Sequence, residues 1–464
     1  MTLDPPTPMA LRDRTRWHLG ANAPVAAWLT ALLAVTLFRP YLAESPWLLV
    51  HLLLLGAVTN AIFVWSAHFA DAMLRRRATT GSRRWQAARM VALNVGVITV
   101  VAGMVGSAWA LTLAGSVIVG AAAAAHGITL ALQLRAALAS RFGATVRYYV
   151  YASLALPIGA GLGAALARDP AEPWHGRLAV AHVTLNLLGW IGLTVMGTLV
   201  TLWPTMLRTR IAEGAELVAR QALPILVGSV VVTVTGALCG LQWLAAAGVA
   251  TYLGGVLWAV RPLAEVARAK RPSAYATWSV MAAVIWLEGS LLGLFTVFVI
   301  SPTWHSVTDH LGLLVIPLAA GFAAQVLLGA MSFLVPVVLG GGPNILRGTQ
   351  ARMDRGSALR AVLINAGLLV WILAYALPIP GQVQLLVSVL VLGAFAAFLP
   401  LLAFAVLYAV RAKRAGRLTA ADRSPMPKHV PEPAAVTRRR HTSQAAVALA
   451  LVLLAVAVGM VLAR

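Results

Sequence analysis

Charged side chains make up only 11% of this 464-residue chain, against about 25% in a soluble domain. That scarcity excludes an ordinary water-soluble fold. Acids are scarcer still, with 14 Asp and Glu against 36 Lys and Arg, for a net charge of +22. A single cysteine, Cys239, excludes a disulfide framework and a thiolate cluster for iron–sulfur or zinc. Methionine and cysteine are not grouped as a copper-transport ladder either. What is plentiful is hydrocarbon. Hydrophobic residues are 60% of the chain, and runs of about 20 apolar residues, the length a bilayer crossing needs, recur along nearly all of it. The polar stretch up to His18 leads into an ordinary apolar run, without the pattern of a cleavable leader.

These runs predict an all-α polytopic membrane protein with thirteen spans. They fall near 23–39, 46–71, 88–111, 113–137, 147–167, 177–204, 222–240, 242–264, 274–299, 310–337, 357–377, 382–410 and 444–463. The seventh and eighth are separated only by Gly240 and Gln242. The expected organisation is an N-terminal segment 1–22, a twelve-span domain 23–410, a flexible linker 411–443 rich in Pro and charge, and an additional C-terminal helix 444–464. Every second loop is basic. Examples are Arg75, Arg76, Arg77, Arg83 and Arg84 after the second span, Arg208, Arg210 and Arg220 after the sixth, and Arg347, Arg352 and Arg355 after the tenth. This alternation places the N-terminus in the cytoplasm and, after thirteen spans, Arg464 outside. Basic loops against an anionic inner leaflet account for the positive charge. Nucleic acid is not expected as a partner.

Against this apolar background, three histidines stand near the same end of the second, sixth and tenth spans. They are His51, His182 and His310, separated by 131 and 128 residues. The twelve spans thus fall into three groups of four, and the spacing suits a diverged triplication. Ionisable groups within a span are functional candidates by default. On the tenth span His310, Pro317, Gly321, Gln325 and Ser332 follow helical spacing along one face. On the sixth, His182 and Asn186 are an i,i+4 pair. Such stripes either face a flat cofactor or let helices pack closely. His126 lies mid-span among alanines, and Glu288 is the one carboxylate well inside a span. The histidines are read as ligands or as hydrogen-bonded structural residues, and Glu288 as a proton or polar relay.

The segment AHVTLNLLGWIGLTVMGTLVTLWP (181–204) resembles a histidine-bearing helix of the heme-copper oxidase and nitric oxide reductase superfamily, near its NnrS-like relatives. The stretches at 126–163 and 321–343 resemble the membrane region of actinobacterial proteins described as copper oxidases. The resemblance implies twelve helices in three four-helix arcs. It also implies b-type heme between His51 and His310 as axial ligands, and a copper site near His182, with His126 a further metal candidate. Asn186 and Gln325 would complete the cofactor environment. The chain departs from that pattern at several places. The seventh span has no histidine, His310 is followed by Leu311 and Gly312, and Thr184 stands where a second histidine belongs. A three-histidine copper centre cannot be assembled from these positions, so a terminal oxidase or nitric oxide reductase acting alone is not expected.

Two functions follow as expectations. One is a heme- or copper-binding electron-transfer subunit of the bacterial cytoplasmic membrane, linking a quinol pool to an external cupredoxin or multicopper protein. The other is a transporter or sensor-like membrane protein with the same fold and no redox catalysis.

Overall fold

The computed structural model describes residues 8–41, 45–76, 78–137, 142–419 and 434–463. Among them there is helix and no strand. The protein is an all-α, multi-pass membrane protein, and among the described residues thirteen helices are long and apolar enough to span. In chain order these are α1 (Thr15–Leu37), α2 (Pro46–Met73), α3 (Thr80–Val105), α4 (Trp109–Ala136), α5 (Gly143–Leu166), α6 (Trp174–Leu207), α7 (Ala215–Leu238), α8 (Gln242–Ala269), α9 (Tyr275–Ile300), α10 (Trp304–Leu339), α11 (Ser357–Ala376), α12 (Gly381–Ala415) and α13 (Ala434–Leu462). A short helix, Pro343–Met353, precedes α11. Of the expected linker, 411–419 is helical and so is 434–443. Residues 420–433 lie outside the described residues, as do Arg77, Arg141 and Arg464.

The chain divides into two compact units. One comprises Ala21–Arg271 and Val284–Ala324, the other Met1–Gly20, Pro272–Ala283 and Gln325–Arg464. Their boundaries do not coincide with the three groups of four spans.

The histidine-bearing helices are the most enclosed. The most apolar windows of α2, α6 and α10 are 67%, 83% and 61% buried, while no other span exceeds 39%. They also share a backbone irregularity. Each contains a π-helical segment, at Leu52–Val58, Thr184–Gly192 and Pro317–Ala324. A π turn is one residue too wide, so an N–H reaches back five residues, as Thr59 N–H does to Leu54 O and Leu193 N–H to Leu188 O, and both oxygens take a side-chain hydroxyl as well. Here Thr59 Oγ donates to Leu54 O at 2.8 Å, and Tyr252 Oη donates to Leu188 O at 3.0 Å. Every one of these segments contains glycine, and the third begins at a proline, which has no N–H to give the ladder.

The hairpins α3–α4 and α7–α8 repeat one another. Ala108 N donates to Gly103 O at 2.7 Å, and Leu241 N donates to Gly236 O at 2.7 Å. Just before each donor the backbone turns left-handed, at Ser107 (φ 50°) and Gly240 (φ 75°). A Cβ on Gly103 would lie 2.4 Å from Thr112 N, and one on Gly236 would lie 2.4 Å from Ala245 N. The hairpins close only because both positions lack a side chain.

Candidate functional site

A cavity of about 490 Å³ opens within the first unit, walled by α2, α3, α4, α5, α6 and α10. Its size lies in the range of small-molecule sites, about 300–1,000 Å³. All three π segments line it, through Leu54 and Leu55, through Asn186, Leu187, Trp190 and Ile191, and through Leu318 and Ala319. The wall is mainly aliphatic and aromatic, with a few polar groups: His51, His175, His182, Asn186, Ser116 and the threonines Thr59, Thr112 and Thr308.

His51 and His182 form the centre of this polar group, with ring centroids 6.3 Å apart and planes inclined by 33°. His51 stacks on Trp47 at 4.0 Å, and its Nδ1 lies 2.9 Å from Trp47 O one turn earlier on the same helix. His182 Nδ1 reaches across to Gly159 O on α5 at 2.8 Å. That reach depends on two missing side chains. A Cβ on Gly163 would lie 2.8 Å from His182 Cε1, and one on Gly159 would lie 2.5 Å from Asn186 Oδ1. Asn186 Nδ2 donates to His182 O at 2.8 Å, binding the ring's own turn. Trp190 Nε1 donates to Thr59 Oγ at 3.1 Å, joining α6 to α2 beneath the histidines.

The other predicted residues lie elsewhere. His310 does not line the cavity. Its Nδ1 is 2.7 Å from Ser306 O on its own helix and 3.3 Å from Ser301 Oγ. The structure therefore brings His51 together with His182, whereas the expected pair was His51 and His310. His126 is buried, stacked on Phe63 at 4.5 Å, with Nε2 2.8 Å from Ser66 Oγ. It does not line the cavity either. Gln325, in the second unit, is wholly buried and exchanges hydrogen bonds with Asn365 at 3.0 and 3.2 Å. Glu288 is half-buried and has no hydrogen-bond or ion-pair partner among the described residues. His175 and His305 meet carboxylates near the start of α6 and α10: His175 Nδ1 is 3.3 Å from Asp169, and His305 is 3.5 Å from Glu172 and 3.6 Å from Asp309.

Among the described residues, no three of His, Cys, Asp and Glu gather where they could hold a metal ion. This overturns the expectation of a heme- or copper-binding electron-transfer subunit. The physical reason is dispersal. His310 is held by hydrogen bonds away from the cavity, His126 is buried away from it with Nε2 on Ser66 Oγ and Nδ1 unpartnered, and Gln325 is closed on Asn365. No family model matches the chain, and no match to it is found among curated proteins.

The π segments and Trp190 were not foreseen as parts of a site. Hydrophobic periodicity cannot register a single wide turn. The available signal was glycine placement: Gly56, Gly189 and Gly321 within the spans, and the Gly159–Gly163 pair opposite His182.

Proposed function

We propose that this protein is a membrane protein of the transporter or sensor type, which receives a small and largely apolar molecule in the His51–His182 cavity and performs no redox catalysis. The observation that carries this reading is the largely apolar cavity lined by all three π segments. A π turn can rewind to α geometry by shifting one residue, and that shift rotates everything beyond it on the helix. Three such turns around one cavity give a ligand a means of biasing helix position, which both transport and sensing require. The alternation of basic loops supports a cytoplasmic N-terminus and an external C-terminus in a bacterial cytoplasmic membrane, with His51 and His182 toward the external side.

The test is to identify neutral small molecules that co-purify with the protein in lipid nanodiscs, by mass spectrometry. Wild type is compared with Leu54→Trp, which fills the cavity. An apolar compound enriched in the wild type and lost from the variant is the expected result. Equal occupancy in both overturns the proposal, as does a reduced-minus-oxidised heme spectrum from protein made in heme-replete cells.

A further inference from the structure

We propose that the molecule taken into this cavity is a neutral hydrogen-bond donor, a phenol or alcohol carried on an apolar body. The inference rests on the cavity reading above and adds the chemistry of the bound group. It follows from where the protons on the wall must be. His51 Nδ1 faces Trp47 O at 2.9 Å and His182 Nδ1 faces Gly159 O at 2.8 Å. A carbonyl oxygen can only accept, so each Nδ1 carries a proton. In the uncharged ring the other nitrogen, Nε2, is then a bare lone pair. Two such rings, 6.3 Å apart, line the cavity.

Asn186 holds this arrangement in place: its Nδ2 donates to His182 O at 2.8 Å and lies 3.3 Å from His182 Nδ1, whose nearer partner is Gly159 O at 2.8 Å, and its Oδ1 is buried against Gly159. Flipping the amide would set oxygen against oxygen, so the orientation is fixed by the carbonyl. Of the two indoles on the wall, that of Trp190 is already used, because its Nε1 donates to Thr59 Oγ, whose own proton goes to Leu54 O. Ring nitrogens without donors are costly in apolar surroundings. A guest that brings O–H or N–H groups satisfies them, and one that brings only acceptors does not.

The experiment uses the full chain in nanodiscs and two probes of nearly equal shape, 4-tert-octylphenol and its methyl ether. Binding is followed by tryptophan fluorescence, with empty nanodiscs subtracted to remove partitioning into lipid. The phenol is expected to bind about tenfold more tightly than the ether, the discrimination one good hydrogen bond provides. His182→Phe should bring the two probes within about twofold. His182→Gln, which restores an acceptor oxygen, should recover part of the preference. Nitrogen NMR of histidine-labelled protein supplies a readout independent of affinity: Nε2 of His51 and His182 should resonate as unprotonated nitrogen and move on adding the phenol alone. If phenol and ether bind equally and both are lost in Leu54→Trp, the donor inference is wrong and the cavity reading stands. If neither probe binds saturably, both are wrong.

Discussion

The two compact units bury polar side chains for opposite ends. In the unit that holds Gln325, several buried polar side chains are closed on one another. Gln325 and Asn365 exchange amide hydrogen bonds. Asp354 Oδ1 accepts from Tyr275 N at 2.6 Å, and Arg360 donates to Arg355 O at 3.1 Å and Met353 O at 2.6 Å. The chain supplies both donor and acceptor, so these groups fasten helices and helix ends. In the other unit, the His51, His182 and Asn186 side chains are half satisfied. One end of each is fixed by a backbone carbonyl; the other ring nitrogens are left toward a cavity, and Asn186 Oδ1 is buried against Gly159. A polar residue in a membrane span is therefore not a site by virtue of its type. It becomes one when the fold fixes its direction and withholds its second partner.

The largest expected effect breaks the closed side of this comparison. Gln325→Leu puts an apolar side chain against the half-buried Asn365 amide, which keeps its bond to Ala361 O, and should destabilise the protein by about 1–2 kcal/mol. Thermal unfolding in detergent reads this, and Gln325→Leu with Asn365→Leu should recover much of the loss. Affinity of the cavity for 4-tert-octylphenol should stay unchanged in both. A weakened cavity would show that the two kinds of polarity are not separate. Next is Gly163→Val, which drives a methyl-bearing carbon into the space of the His182 ring. The ring must leave Gly159 O, and phenol binding should fall about tenfold, or about 1.4 kcal/mol. Unaltered binding would detach His182 from the site. A smaller effect is expected from Thr59→Val. It keeps the shape but leaves Trp190 Nε1 unpaired and leaves Leu54 O with only the backbone N–H of residue 59, for a stability loss of about 1 kcal/mol. Hydrogen exchange should rise first in 52–58, and exchange unchanged there would mean the π segment does not depend on Thr59.

Much of the architecture was legible in residues. Thirteen spans follow from apolar runs, and even the narrow division at Gly240 and Gln242 is a true helix break, because the left-handed turn at Gly240 ends α7. The enclosure of α2, α6 and α10 was also legible, since polar and small residues concentrate there. The partnership of histidines was not. Register along three separate helices says which residues lie at one depth, not which pair faces which. His51 met His182 because Gly159 and Gly163 let α6 settle against α5, while His310 turned to Ser306 on its own helix. Nor could composition tell that Gln325 would find Asn365, forty residues away.

Glu288 gives the sharpest remaining test of the comparison, because its type suggests a site and its setting does not. It is the one carboxylate well inside a span, yet it neither lines the cavity nor meets a partner among the described residues. Ile285 and Leu292, one turn to either side of it, are 60% and 56% exposed. Helical spacing therefore puts Glu288 beside the outward stripe of α9, and at such a position a carboxyl gains nothing from the cavity's geometry. Glu288→Gln preserves length and hydrogen-bonding capacity while removing the ionisable group. Stability should change by less than about 0.5 kcal/mol, the range for substitutions outside packed or paired positions. The affinities of 4-tert-octylphenol and its methyl ether should each stay within about twofold of wild type, a difference below a single hydrogen bond. The same should hold across a pH series, since no titrating group at 288 would then reach the cavity. A pH-dependent loss of phenol binding in wild type that disappears in Glu288→Gln would show the reverse: that an outward carboxylate is coupled to the two imidazoles, and that half-satisfied polarity in this unit extends beyond the cavity wall.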